Sequence, residues 1–195
     1  MINRKQPLLC VEHIEKYYGN RGVVTKALDG VDFCVHSGEF VSIMGASGSG
    51  KTTLLNCIST IDTVSAGHIL LDGKDITTIN EIDIAAFRRD NLGFVFQDFN
   101  LLDTLTLEEN IALPLTISKT PSEEIIKRVK KIADRLQISD SLKKFPSQVS
   151  GGQKQRCAFA RAVICNPKII MADEPTGSLD SHSSQILLEI MSELN

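Results

Sequence analysis

No run of about 18 consecutive apolar residues occurs in this 195-residue chain, so nothing in it reads as a membrane-spanning helix. The opening residues, from Met1 to Pro7, also lack the apolar core of a secretory signal. Any membrane role is therefore expected to come through a partner. A basic excess is missing as well: 21 Lys and Arg stand against 24 Asp and Glu, for a net charge of -3. Such a balance gives no field for gripping a nucleic-acid backbone, and nucleic acid is not expected as a partner. The five cysteines, Cys10, Cys34, Cys57, Cys157 and Cys165, are odd in number and show no Cys-x-x-Cys spacing. That pattern predicts neither a disulfide framework nor a zinc site, and the thiols read as small buried hydrophobes suited to a reducing cytosol. Internal repeats, low-complexity tracts and long linkers are absent. What remains is an ordinary globular composition, 42 % hydrophobic and 23 % charged, in a chain long enough for one domain with a sizeable core.

The stretch Gly45-Ala46-Ser47-Gly48-Ser49-Gly50-Lys51-Thr52 fits Gly-x-x-x-x-Gly-Lys-Ser/Thr. Glycines there let backbone N–H groups turn inward around phosphate oxygens, while the lysine neutralises their charge. Its surroundings agree. Glu39–Met44 upstream is a β-rich apolar run, and Lys51–Ile58 downstream reads as a helix start. A helix N-terminus adds partial positive charge to the same phosphates, so a nucleoside triphosphate is the expected ligand.

Strands are expected at Leu8–Ile14, Val31–Val35, Gly67–Gly73 with its Asp72-Gly73 turn, Leu92–Gln97 and Ile169–Asp173. The last of these is an apolar run that ends on a carboxylate. Between Asp98 and Cys165 the period turns helical. Thr120-Pro121-Ser122-Glu123 predicts a helix start with Thr120 as the cap, Pro121 in the first turn and Glu123 completing the capping box. Ile125, Ile126, Val129, Ile132, Ala133 and Leu136 then recur at helical spacing, leaving Lys127, Arg128, Lys130 and Lys131 on a solvated face. The expected fold is α/β, one domain spanning 1–195. Within it a nucleotide-binding core of 1–97 and 166–195 carries a helical insertion over 98–165.

In their order along the chain, five motifs resemble those of the ATP-binding-cassette ATPases, over essentially all 195 residues. They are the phosphate loop 45–52, Gln97 at a strand end, Val149-Ser150-Gly151-Gly152-Gln153, Asp173-Glu174 closing an apolar strand, and Ser178-Leu179-Asp180. The resemblance implies a P-loop NTPase of that type, with a mixed β-sheet core, an N-terminal antiparallel β subdomain and a helical signature subdomain. It implies hydrolysis of ATP with Mg²⁺, in which the protein positions groups and stabilises charge on the nucleotide. Lys51 would sit between the β- and γ-phosphates, and Gly45, Ala46, Ser47, Gly48, Ser49, Gly50, Thr52 and Thr53 would complete the cradle. Thr52, Gln97 and Asp173 would hold the metal. Glu174 looks like the general base that polarises the attacking water, with Gln97 reaching that water and the metal. Tyr18, in Lys16-Tyr17-Tyr18-Gly19, aligns with the family's adenine-stacking aromatic, and Tyr17 competes with it.

Ser150, Gly151, Gly152 and Gln153 open the helix that runs on to Val163, so a hydroxyl and bare N–H groups form a second anion site. Val149 stands where the family commonly has leucine. One chain needs only one cradle per triphosphate, so the second makes sense if it covers the ATP held by another copy. A head-to-tail homodimer with two ATP molecules at its interface follows, and Asp180 resembles the loop that crosses that interface.

The wording of Met44–Ser47, Phe96–Thr106 and Ser150–Arg156 looks like the bacitracin-type antimicrobial-peptide exporter ATPases and is similar to the wider macrolide-exporter and lipoprotein-release group. This implies a cytoplasmic subunit, peripheral at the inner face of the cell membrane, that powers a separate integral membrane permease. The apolar stretch from Phe94 to Pro114 either packs inside the helical insertion or belongs to the groove that receives the permease's coupling helix in the family. Soluble cassette proteins fit less well, because translation factors carry two cassettes and repair ATPases insert a long heptad segment between loop and signature. A non-hydrolysing sensor is a further alternative. The family places a switch histidine on a strand after helix Ser181–Leu194, whereas the sequence stops at Asn195 and His182 lies too close to Asp180 to substitute. The resemblance therefore implies a truncated domain that binds ATP and hydrolyses it poorly.

Overall fold

The computed structural model describes residues 6–19, 23–177 and 179–194. They form two compact units that divide between Ala85 and Ala86. In the first, β1 (Leu9–Tyr18), β2 (Thr25–Val35), β3 (Ala66–Leu71) and β4 (Lys74–Asp75) make an antiparallel sheet of order β2-β1-β3-β4. Leu9, Val11, Ile14 and Lys16 are its buried positions on β1. The expected Asp-Gly turn closes β3 onto β4, with Asp72 and Gly73 both at positive φ (53° and 75°) as such a hairpin requires. Helix α1 (Lys51–Ile58) packs against β2 and buries Leu54, Cys57 and Ile58.

Two expectations fail in this unit. Cys10 and Cys34 are joined by a disulfide, because the antiparallel register sets them directly opposite each other with Cα atoms 4.2 Å apart. Parity and spacing along the chain carry no information on that register. Cys57 and Cys157 do behave as small buried hydrophobes: burial pushes their thiols up to about 11 and about 12. The run Glu39–Met44 forms no strand, and Phe40, Val41, Ile43 and Met44 are exposed. An apolar β-rich run specifies an extended chain, whereas a ladder also needs a paired edge, and none is bonded to this run among the described residues.

Helix α2 (Glu81–Asn91) runs across the division. The second unit then holds the parallel pair β5 (Leu92–Val95) and β6 (Ile169–Ala172) with helices α3 (Leu107–Ile117), α4 (Ser122–Arg135), α5 (Gly151–Val163) and α6 (Ser181–Leu194). Its core gathers Val95, Leu107, Ile111, Val129, Leu136, Phe159 and Leu187, so part of the apolar stretch 94–114 is spent on internal packing, while Leu102 is exposed.

The helix starts invert the sequence reading. Thr106 and Glu109 form a full capping box on α3, while the expected box at Thr120 is absent: α4 begins at Ser122 with Pro121 as its cap. Thr120 is instead spent on ending α3: Lys119 takes a left-handed φ of 56° and its N–H donates to the Thr116 carbonyl at 3.0 Å, while the Thr120 N–H bonds back to the Leu115 carbonyl at 3.0 Å. On α4 the buried stripe is Val129, Ile132, Ala133 and Leu136, whereas Ile126 is 60 % exposed. Lys127, Lys130 and Lys131 face solvent as expected.

Candidate functional site

The residues singled out above fall into two groups. Tyr18 and 45–53 belong to the first unit; Gln97, 150–153, Asp173, Glu174 and Asp180 belong to the second. Ser178 lies outside the described residues.

The phosphate loop passes through a turn into α1 at Gly50, which sits at φ 92° and gives the helix no side-chain cap. A Cβ at Gly50 would lie 2.5 Å from the Ala27 carbonyl oxygen, so only glycine allows this approach of loop to sheet. Gly48 is left-handed too, at φ 78°. The Lys51 ammonium curls back over the loop and donates to the Gly45 and Ala46 carbonyls at 3.0 and 2.9 Å. Cation, uncapped helix N-terminus and exposed loop thus share one place, the chemistry a polyphosphate needs.

Strand alternation separates the two tyrosines. Tyr17 lies on one face of β1, where its hydroxyl donates to Glu15 and the Lys26 ammonium stands 5.4 Å from its ring centre. Tyr18 lies on the other, where its hydroxyl donates to Asp62 at 2.6 Å and also meets the Thr53 hydroxyl at the start of α1. The Asp62 carboxylate holds the Tyr18 phenol above its ordinary pKa.

In the second unit, parallel pairing brings the carboxyl ends of β5 and β6 side by side, Val95 opposite Ala172. Gln97 follows the first strand, Asp173 and Glu174 the second, so all three share the edge where open α/β sheets place their ligands. The Asp173 N–H extends the ladder by donating to the Val95 carbonyl at 3.0 Å. Glu174 is exposed and has φ 45°, a conformation rare for a non-glycine residue, in a turn closed by the Gly177 N–H onto the Glu174 carbonyl at 2.9 Å.

Ser150 caps α5. Its Oγ accepts the Gln153 N–H while Gln153 Oε1 accepts the Ser150 N–H. A serine that accepts in this way still has its own proton to give to an oxyanion, so capping and anion binding are compatible. Behind the cap, Gly152 admits Ser183 of α6, whose Oγ would stand 2.8 Å from any Cβ at that position. Asp180 accepts the Ser183 N–H and hydroxyl at 3.0 and 2.7 Å, and the backbone bond leads in holding its carboxyl below the usual range.

Two residues of α5 escaped the sequence reading. Gln155 is fully buried and donates to the Pro175 carbonyl, just after Glu174, at 2.8 Å. Arg161 donates to the carbonyls of Phe99 and Asn100, just after Gln97, at 3.0 and 2.6 Å. Both of those acceptor residues have positive φ. One signal for Gln155 was legible: helical spacing sets it on one face with Gly152, Ala158 and Phe159, too apolar a face for an idle amide.

Among the described residues no cluster of three or more His, Cys, Asp or Glu side chains is arranged as a metal site, and no helix is long and apolar enough to cross a membrane. The hydroxyl, amide and carboxylate of Thr52, Gln97 and Asp173 are nonetheless the hard oxygen donors that Mg²⁺ prefers.

Fold and site together define a nucleotide-binding α/β protein of the P-loop class. A family model described as ABC transporter matches residues 28–177. The chain is 50 % identical over 188 residues to the bacitracin export ATP-binding protein BceA of Halalkalibacterium halodurans, covering 96 % of this chain and 74 % of that protein. It is 40 % identical over 194 residues to the lipoprotein-releasing system ATP-binding protein LolD of Shewanella frigidimarina, covering 100 % and 81 %. A solved structure of the ATP-binding cassette MJ0796, dimeric and in a post-hydrolysis state bound to ADP and Pi, matches with a TM-score of 0.88 and 37 % identity, covering 95 % of this chain and 82 % of that one. The chain belongs to the ABC transporter family, as one of its ATP-hydrolysing cassettes.

Proposed function

We propose that this chain is the ATPase subunit of a bacterial exporter, peripheral at the inner face of the membrane, that powers a separate permease for antimicrobial peptides of the bacitracin kind. The observation that supports the hydrolytic part is the parallel pairing of β5 and β6, whose carboxyl ends lead into Gln97 on one strand and Asp173 and Glu174 on the other. The relative named for bacitracin export supports the cargo class.

In this reading Lys51 swings from the Gly45 and Ala46 carbonyls to the β- and γ-phosphates, and the loop from Gly45 to Thr53 wraps the remaining oxygens. Thr52, Gln97 and Asp173 hold Mg²⁺, which when bound neutralises charge developing on the phosphates. Glu174 takes the proton of the attacking water while Gln97 orients it. Tyr18 stacks on adenine. Ser150, buttressed by Gln153 and with the N–H groups of Gly151 and Gly152, closes over the γ-phosphate held by a second copy, and Asp180 borders that interface. We assign 1–97 and 166–195 to the catalytic core and 98–165 to the helical subdomain on role rather than on compactness.

The permease seat we assign to an open cleft of about 560 Å³ beside α4. Lys127, Lys131 and Arg135 rim it, and Ile132, Ile164 and Ile170 line it, which suits a short amphipathic helix. A second reading, lipoprotein release, is favoured by the relative of that name. Deleting the gene should lower resistance to bacitracin-type peptides, with rescue by the wild type and not by Lys51→Ala. Unchanged resistance together with mislocalised lipoproteins would transfer the assignment to the second reading.

A further inference from the structure

We propose that Asp62 and Lys16 are positioning residues for the nucleotide base, fixing the Tyr18 ring as a stacking platform and tying it to the far end of the phosphate-loop helix. This rests on the reading of Tyr18 as the adenine-stacking residue.

Lys16 is only 7 % exposed, and lysine is seldom so buried unless paired. Its Nζ donates to Asp62 Oδ1 and to the Thr63 carbonyl, each at 2.5 Å, and stands over the Tyr18 ring, 5.0 Å from its centre. Asp62 Oδ2 accepts the Tyr18 hydroxyl, while Oδ1 also takes the Thr63 N–H at 2.7 Å. Asp62 is in turn fastened to α1, since its N–H and that of Ile61 both donate to the Asn56 carbonyl. A second strap runs alongside: the Ser65 N–H donates to the Glu15 carbonyl at 2.8 Å, and Ser65 Oγ accepts the Tyr17 N–H at 3.0 Å.

The consequence is mechanical. Tyr18 is the last residue of β1 and is 43 % exposed, so an untethered ring there would spread over its rotamers and lose that freedom on each binding event. Held at its hydroxyl and under a cation, the ring stays at one distance from α1, whose first turn carries Lys51, Thr52 and Thr53. The spacing between base and phosphates is then set before the nucleotide arrives.

Tyr18→Phe tests this, because it keeps the ring, removes only the hydroxyl with its bonds to Asp62 and Thr53, and leaves the Lys16–Asp62 pair intact. The full chain is titrated with ATP and with tripolyphosphate, which carries the charge without a base. Tyr18→Phe should weaken ATP about three- to tenfold and leave tripolyphosphate unchanged, and Tyr18→Ala should weaken ATP further. Wild-type ATP affinity in Tyr18→Phe, or an equal loss for both ligands, overturns the clamp. Wild-type ATP affinity in Tyr18→Ala instead overturns the stacking role itself. The chain has two tyrosines and no tryptophan, so the phenols can also be titrated by ultraviolet absorbance. Asp62→Asn should bring the late-titrating phenol down, and an unchanged titration contradicts the tether.

Discussion

Burial alone would push the Asp62 carboxyl up, but the hydrogen bonds from Lys16, Tyr18 and the Thr63 N–H outweigh it and hold it below the usual carboxylate range. Asp75 follows the same pattern through Thr77 and His68. A carboxyl whose pKa is lower in the folded state stabilises fully above its unfolded value, about 4, and loses that contribution as pH falls through the folded value. Thermal melts should therefore show stability dropping below about pH 4, with a shallower acid limb in Asp62→Asn. Superimposable limbs for the two proteins would contradict the assignment. At the same scale, Glu174 holds a left-handed backbone that no sequence pattern announces, and Ser150 serves its own helix while keeping a proton to donate. Neither property follows from residue type; each depends on which neighbours the fold supplies.

Among the elements, α5 links the most. Its first turn is the expected second anion site, Gln155 holds the carbonyl after Glu174, and Arg161 holds the Phe99 and Asn100 carbonyls, two and three residues after Gln97. Arg161→Lys keeps a charge but loses the planar fork that spans both carbonyls. Turnover should fall about tenfold through misplacement of Gln97, with ATP affinity nearly unchanged because Tyr18 and the phosphate loop are untouched. Equal turnover in Arg161→Lys and wild type, measured by phosphate release, would remove α5 from the catalytic account.

Elements with a strong local signature were legible in the sequence. These include the Asp72-Gly73 hairpin, α1 after its glycines, the buried stripe of α4 and the strand ending at Asp173. What escaped depends on partners distant in the chain. The Cys10–Cys34 bond needs the register of two strands, the unpaired run 39–44 needs knowledge of which edges are filled, and the tethers of Gln155 and Arg161 need the tertiary fold. Thr106 and Thr120 carry the same cap pattern. What separates them is the chain before each, since Thr120 is spent on closing the end of α3.

For the whole molecule, the account holds that two cradles of unlike origin act on one γ-phosphate, the phosphate loop of one copy and Ser150-Gly151-Gly152 of another. ATP then closes the pair of cassettes and hydrolysis reopens it, which is the motion a permease seated beside α4 could use. Glu174→Gln removes the proposed general base while keeping a polar side chain of similar size, so it separates nucleotide binding from turnover. The decisive measurement is analytical ultracentrifugation of Glu174→Gln with saturating Mg²⁺ and ATP. The account predicts a stable species of twice the protomer mass that falls back to the protomer when Gly151→Asp is added. Glu174→Gln sedimenting as a protomer with ATP bound would contradict it.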